Sequence, residues 1–350
     1  MRSVLFVFLL LTLSTPCLAE DVSPPAEATA ATEPAAETTA AAAEPERRDG
    51  PVKVTVGAYV NDVQAIDLKN HTYAVDLYVW FRWRDRTLKP DETLEFVNPS
   101  ELWGHVRTKS YEEPLELPNG ELYQVVRVQG RFSRKLLLTN YPFDRQKLTV
   151  EFEDNESEAG QMVYVPDTNP VTVNPKLVLP GFMLGRPALH ITTEAYPTNF
   201  GDIRSAAGDQ FSRGTVELPI VRPAMTYSIK LLLPIFCVLL CAALMFLLKP
   251  TYVDSRIGIG TTSMLTIVAL QMTLNEDLPE VDYLVLMDKV YIAAYLFVLA
   301  GLGVVVRATY MVEAGDVEAG IKLHRRALVG LFTAFTATMV VLISLAVIRG

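Results

Sequence analysis

Four apolar runs near the C-terminus, each long enough to cross a bilayer, commit that part of the chain to helices. Lipid offers no partner for a bare peptide N–H or C=O, so a spanning segment must satisfy its backbone internally. The runs are Tyr227–Leu248, Ile257–Leu278, Met287–Val312 and Ala327–Ile348, within a membrane domain covering 223–350. Lys249, Arg256, Arg307, Lys322, Arg325 and Arg326 flank the first–second and third–fourth connections. Basic connections stay on the cytoplasmic side, so the upstream domain and the second–third connection share the outer side.

Upstream the period changes. Residues 1–19 carry Arg2, an apolar stretch Val4–Leu13 and a small-residue end, which reads as a secretory signal cleaved after Ala19. Residues 20–50 are almost entirely Ala, Glu, Pro and Thr without apolar periodicity, the composition of a disordered tether. From 51 to 222 apolar residues alternate with polar ones, as in Val52/Val54/Val56, Tyr73/Val75/Leu77/Val79 and Leu148/Val150/Phe152. Pro90-Asp91, Asn98-Pro99, Pro118-Asn119-Gly120, Asn169-Pro170 and Pro180-Gly181 punctuate these runs. Many short strands separated by turn residues predict an all-β sandwich.

Composition narrows the function. The net charge of −9 lies mostly upstream of Tyr227 and excludes the basic footprint of a nucleic-acid binder. An acidic outer domain either attracts cations or simply keeps the domain soluble. Of three cysteines, Cys17 falls in the leader, while Cys237 and Cys241 sit one turn apart in the first span and read as buried small hydrophobes. The exported domain therefore has no disulfide framework. There is no HExxH, GxSxG, phosphate-cradling loop or zinc-type Cys/His cluster, so neither an enzyme nor a cofactor is expected.

The second span departs from its neighbours. It is rich in glycine and hydroxyls, and at helical spacing Gly258, Thr262, Leu265, Ala269, Met272 and Glu276 fall on one face. Thr266, Thr273 and Asp277 lie beside that stripe, and Asp254 and Arg256 stand at its cytoplasmic end. Two readings fit. Small and hydroxylated residues allow helices to pack closely. The same gradient, hydroxylated inside, apolar in the middle and acidic outside, suits an ion pore: hydroxyls replace hydration, charge selects sign, and an apolar ring closes by dewetting.

Motifs elsewhere bear on that choice. Tyr141-Pro142-Phe143-Asp144-Arg145-Gln146 resembles the signature core of the Cys-loop receptor superfamily, with Arg134 and Leu148 where the paired cysteines would stand, as in bacterial members. Trp83-Arg84-Asp85 with Leu88, the turn Pro118-Asn119-Gly120, Arg222 before the first span, Pro234 within it, and Leu278-Pro279 with Tyr283 after the second follow in the family's order. The resemblance covers about Val52–Ile348. It implies an immunoglobulin-like β-sandwich on a four-helix bundle, and a homopentamer around a central pore, in a bacterial inner membrane with the β domain in the periplasm. One Thr/Gly/Leu face cannot enclose a channel, whereas a ring of identical faces does.

The resemblance also implies roles. Leu265 would form the apolar gate, with Thr262 and Gly258 below it. Glu276 and Asp277 would form an outer acidic ring, with Asp254 and Arg256 at the inner mouth. Acidic rings accompany cation conduction in the family, whereas Thr261–Thr266 resembles the anion-channel version. Gating would couple through Tyr141, Pro142, Phe143 and Asp144 pressing on the Asn275–Leu286 connection, including Leu278 and Pro279, with Arg222 paired to Asp144.

For the ligand, Tyr78 matches one position of an aromatic cage, and Phe200 and Phe211 lie near the last hairpin, although plain core positions suit them equally. Between Val165 and Pro180 there is no aromatic residue, so the cage is incomplete. The agonist or modulator is left as a small ligand, a proton or a divalent cation, with membrane lipid and permeant ions as the other partners. The run Glu151, Glu153, Asp154, Glu156 and Glu158 lacks calcium-loop order and reads as a solvated face, leaving any metal ligands unassigned. His71, His105 and His190 are titratable near neutrality but stand alone. A non-conducting four-span periplasmic sensor is the rival reading; it leaves the polar stripe unexplained.

Overall fold

The computed structural model describes residues 50–101, 104–199, 201 and 208–349. The leader and residues 20–49 of the tether lie outside the described residues, as does Phe200. Among the described residues, eleven strands precede four helices.

One sheet has the order β4 (Val106–Lys109), β6 (Leu122–Ser133), β2 (Thr72–Trp83), β1 (Val52–Asp67), β8 (Met162–Val173), with β5 (Leu115–Glu116) also on β6. The other runs β10 (Ala188–Ala195), β11 (Gln210–Val221), β7 (Arg145–Asp154), β3 (Leu94–Phe96), with β9 (Met183–Leu184) on β11. Pairings are antiparallel except β1 with β8. In β2 the period of two buries Tyr73, Val75, Leu77, Val79, Phe81 and Trp83 and turns Asp76, Tyr78, Trp80 and Arg82 outward. The inward set meets Leu148, Val150, Phe152, Val216 and Leu218 of the facing sheet. Tyr73 also joins the layers: its hydroxyl donates to the Thr149 carbonyl at 2.6 Å and accepts from the Thr149 amide at 2.9 Å. Burial pushes its phenol pKa up.

The acidic run at the end of β7 and just beyond it is not uniformly solvated. Glu153 and Asp154 are buried. Glu153 accepts from Arg213 Nε at 2.6 Å and from the Tyr196 hydroxyl at 2.9 Å. Asp154 accepts from the Ser157 amide at 2.7 Å and from the Thr93 hydroxyl. These partners come from distant segments, which is why local spacing did not reveal them.

The helices are α1 (Ala224–Leu247), α2 (Val253–Glu276), α3 (Leu286–Glu313) and α4 (Val317–Arg349), each long and apolar enough to cross a membrane. α4 starts ten residues before the apolar run at Ala327, because a charged turn braced by Lys322–Glu318 (2.7 Å) extends the helix. α3 and α4 are joined by Ala314–Asp316, with Gly315 at φ +93° supplying the left-handed turn. Ile235, Leu239, Ala242 and Met245 of α1 pack with Ile267 and Leu274 of α2 and with Val290, Ala294 and Val298 of α3. Gly260 lets α2 approach α3: a Cβ there would lie 2.4 Å from Leu302 Cδ2. Cys237 and Cys241 prove exposed, because they are offset by two residues from the buried Ile235–Leu239 stripe.

Candidate functional site

α2 separates into two faces. Gly258, Thr262, Leu265, Ala269, Met272 and Glu276 are all exposed, Leu265 at 70% and Met272 at 63%. Arg256, Gly260, Ser263, Ile267 and Leu274 are buried. At about 100° per residue these two sets point in nearly opposite directions. The threonines add a chemical detail. Thr266 donates its hydroxyl to the Thr262 carbonyl at 2.9 Å and Thr273 to the Ala269 carbonyl at 3.1 Å. Thr261 does the same to Ile257 at 3.0 Å. With each proton spent on the helix backbone, these hydroxyls present oxygen lone pairs outward.

Asp254 is exposed at the N-terminal end of the stripe, and Glu276 and Asp277 are exposed at its C-terminal end. Arg256 departs from expectation. It is fully buried, its Nε donating to the Met245 carbonyl at 2.7 Å and its Nη2 bonded to His324 of α4. Two positions before Gly258, the helix turns Arg256 to the packed side rather than to the mouth.

The second cluster joins the β domain to the helices. After β6 the chain loops through Leu136–Asp144, with a cis peptide between Tyr141 and Pro142. Leu138 and Tyr141 leave the sandwich and enter the helical core, beside Leu278, Val285 and Met287. The Leu138 amide donates to the Tyr283 hydroxyl at 3.0 Å, and the Leu286 amide donates to the Thr139 carbonyl at 3.0 Å. From the turn between β1 and β2, Lys69 Nζ donates to the Glu276 carbonyl at 3.2 Å, at the C-terminus of α2.

Behind this loop Arg222 and Asp144, both buried, form an ion pair at 3.2 Å. Gln146 Nε2 donates to the other Asp144 oxygen at 2.6 Å and to the Leu137 carbonyl at 2.7 Å. The Arg222 guanidinium also lies over Phe182 (4.5 Å), Tyr141 (4.9 Å) and Tyr227 (5.3 Å). Burial is the main cause that pushes the Tyr141 phenol pKa up. Pro142 is buried, while Phe143 and Pro279 are half-buried beside the same junction.

Comparison with known proteins places this architecture. The Drosophila melanogaster "Glutamate-gated chloride channel" is 23% identical over 293 residues, 78% of this chain and 62% of that protein. The "Gamma-aminobutyric acid receptor subunit gamma-3" of Homo sapiens is 21% identical over 271 residues, 72% of this chain and 56% of that protein. The chain is similar to these channel and receptor subunits over most of its own length. It spans under two thirds of the length of these relatives. They are a gated channel and a receptor subunit, not enzymes. No protein-family model matches the chain.

Arg134 and Leu148, on either side of the Tyr141–Gln146 segment, are held without a disulfide. The Arg134 amide donates to the His71 carbonyl at 3.1 Å, the Leu136 amide donates to His71 Nδ1 at 3.2 Å, and Leu148 is buried in the sandwich core. His105 is likewise structural, its Nε2 bonded to the Arg131 carbonyl at 2.8 Å.

Of the aromatics singled out for ligand binding, Tyr78 and Phe211 are described, and the structure does not bring them together. Tyr78 lies on the outward face of β2, covered by Arg127 at 5.3 Å and beside Tyr59 at 6.1 Å. Arg127 is held there by Asp76, whose carboxyl this arginine keeps below its usual pKa. Phe211 lies on the other sheet, edge-on to Tyr196 at 5.8 Å, beside the Glu153–Arg213 pair. Sequence reading missed Leu138, Lys69, Phe182, Tyr196 and His324. Of these only Leu138, an apolar residue in a polar loop, carried a local signal.

Proposed function

We propose that the chain is one subunit of a homopentameric ligand-gated cation channel, with α2 lining the pore. The observation that carries this reading is the exposed α2 stripe: hydroxyl oxygens and an apolar ring at Leu265, set between the acids Asp254 and Glu276/Asp277. Left facing lipid, that polar side would be costly; turned to an axis shared by five copies, it lines a conduit. Outward lone pairs favour a cation, and Leu265 closes the path by excluding water. Burial of Arg256 leaves Asp254 as the inner-mouth charge, which supports the same sign.

A small ligand, proton or divalent ion acts on the β domain. Its effect reaches α2 through Leu138, Tyr141 and Lys69, with Arg222–Asp144 bracing the loop. The basic connections and the apolar leader support a β domain on the outer side of the membrane. The absence of cysteines at Arg134 and Leu148, as in bacterial members, supports a bacterial inner membrane with that domain in the periplasm. The chloride channel among the relatives favours a second reading, anion conduction through the same pore.

The test is the purified protein in planar bilayers under a sodium chloride gradient, screened over pH, calcium and small amines, beside Leu265→Ala. Currents reversing near the sodium potential agree with the proposal. Reversal near the chloride potential would overturn the cation reading. A protein purifying as monomers, with no current from Leu265→Ala, would sink the channel itself.

A further inference from the structure

The pore reading leaves Arg256 unused. Its guanidinium is fully buried at the inner end of α2, between the last turn of α1 and the start of α4. Nε is satisfied by the Met245 carbonyl, Nη2 by Nε2 of His324, and Nη1 has no partner. His324 is itself buried, its ring edge-on to Phe246 at 6.3 Å.

A guanidinium has five donors and no acceptor, and it keeps its charge in proteins. His324 Nε2 must therefore be the acceptor. That fixes a neutral imidazole with its proton on Nδ1. The charged groups on the packed elements give no relief. Lys249 before α2, Arg307 of α3, and Lys322, Arg325 and Arg326 of α4 are exposed and basic. Asp254 and Glu313 are exposed, and Glu318 is engaged by Lys322. Among the described residues no carboxylate pairs with Arg256 or His324.

We propose that His324 is a proton-sensitive latch between α4 and the inner end of α2. Neutral, it accepts from Arg256 and holds the two helices together. A proton added at Nε2 removes the acceptor and sets two cations against each other in a buried site, so the contact opens. The latch itself follows from this contact alone. Its effect on current rests on the channel reading: released Arg256 adds positive charge beside Asp254, so acid on the inner side reduces cation flow.

The first experiment is thermal melting of the full-length protein in detergent at about pH 8 and about pH 5.5, either side of the ordinary histidine pKa of about 6.5. His324→Gln, whose amide oxygen accepts at every pH, is compared with wild type. Arg256→Gln, which removes the opposing charge, serves as the second variant. The expected result is a midpoint that drops by several degrees more in wild type than in either variant. Equal drops in all three would overturn the latch, since His71, His105 and His190 are common to them. The second experiment acidifies the inner bath of inside-out patches carrying Leu265→Ala. Loss of current with His324 present and not with His324→Gln extends the latch to conduction. No current at all, beside the expected melting difference, would refute the channel and leave the latch standing.

Discussion

Replacing Arg222 by Ala strands Asp144 in a site where it is 4% exposed. Removing one partner of a buried pair costs about 3–5 kcal/mol, because the other charge remains without compensation. Gln146 already bonds one Asp144 oxygen at 2.6 Å, which places the electrostatic loss near the low end. The guanidinium also leaves three aromatic rings, each contact contributing about 0.5–2 kcal/mol. Taking the low end of each, the total for Arg222→Ala is about 4.5 kcal/mol. Asp144→Asn is milder, about 3 kcal/mol: it leaves the Arg222 charge buried without a counter-charge, but an amide oxygen still accepts from it and the rings stay in place. In the double variant no carboxylate is stranded, so the combined loss falls short of the sum by about 2 kcal/mol. Denaturant unfolding in detergent, followed by tryptophan fluorescence, reads the β domain directly through Trp80 and Trp83. Additive losses would refute the pairing argument. Assembly at wild-type level with unchanged gating in Arg222→Ala would refute its part in coupling.

Leu265→Ala removes the exposed apolar ring and raises resting current severalfold, measured in bilayers; unchanged resting current would remove Leu265 from the gate. Asp254→Lys shifts the reversal potential towards chloride, whereas Arg256→Gln, buried on the packed face, leaves it unmoved. Gly258→Ala is tolerated within about 1 kcal/mol, having nothing within 4 Å, while Gly260→Ala drives a methyl into Leu302 and costs about 1–3 kcal/mol of stability. The Asp76 carboxyl is held below the usual aspartate range, chiefly by its hydrogen bond from Arg127. A carboxylate depressed on folding stabilises above its unfolded pKa and loses that contribution as pH falls through the folded value. Wild type therefore loses stability below about pH 4 more steeply than Asp76→Asn, read by melting across that window.

Periodicity made the architecture legible. Alternation in β2 and β7 selects the inward residues because a sandwich buries one face of each strand. Span length and basic flanks mark four helices because lipid tolerates little else. The α2 stripe was legible for the same reason, and helical phase also held the correction for Arg256: two residues from Gly258 is more than half a turn away. What escaped reading was brought together across the chain. His324 reaches Arg256 over 68 residues, and Glu153 reaches Arg213 over 60. Tyr78 and Phe211 belong to different sheets, so sequence order says nothing of whether they share a surface.

The descent of Leu138 and Tyr141 into the helical core has a consequence for biosynthesis. Leu138 closes on Tyr283, made 145 residues later. A ribosome that has finished the sandwich has not yet made the cover for its apolar loop. The loop must wait through synthesis of two membrane helices before α3 arrives. Folding of the outer domain is thereby tied to membrane insertion, and a secreted sandwich cut before α1 would carry two exposed core side chains and invite aggregation.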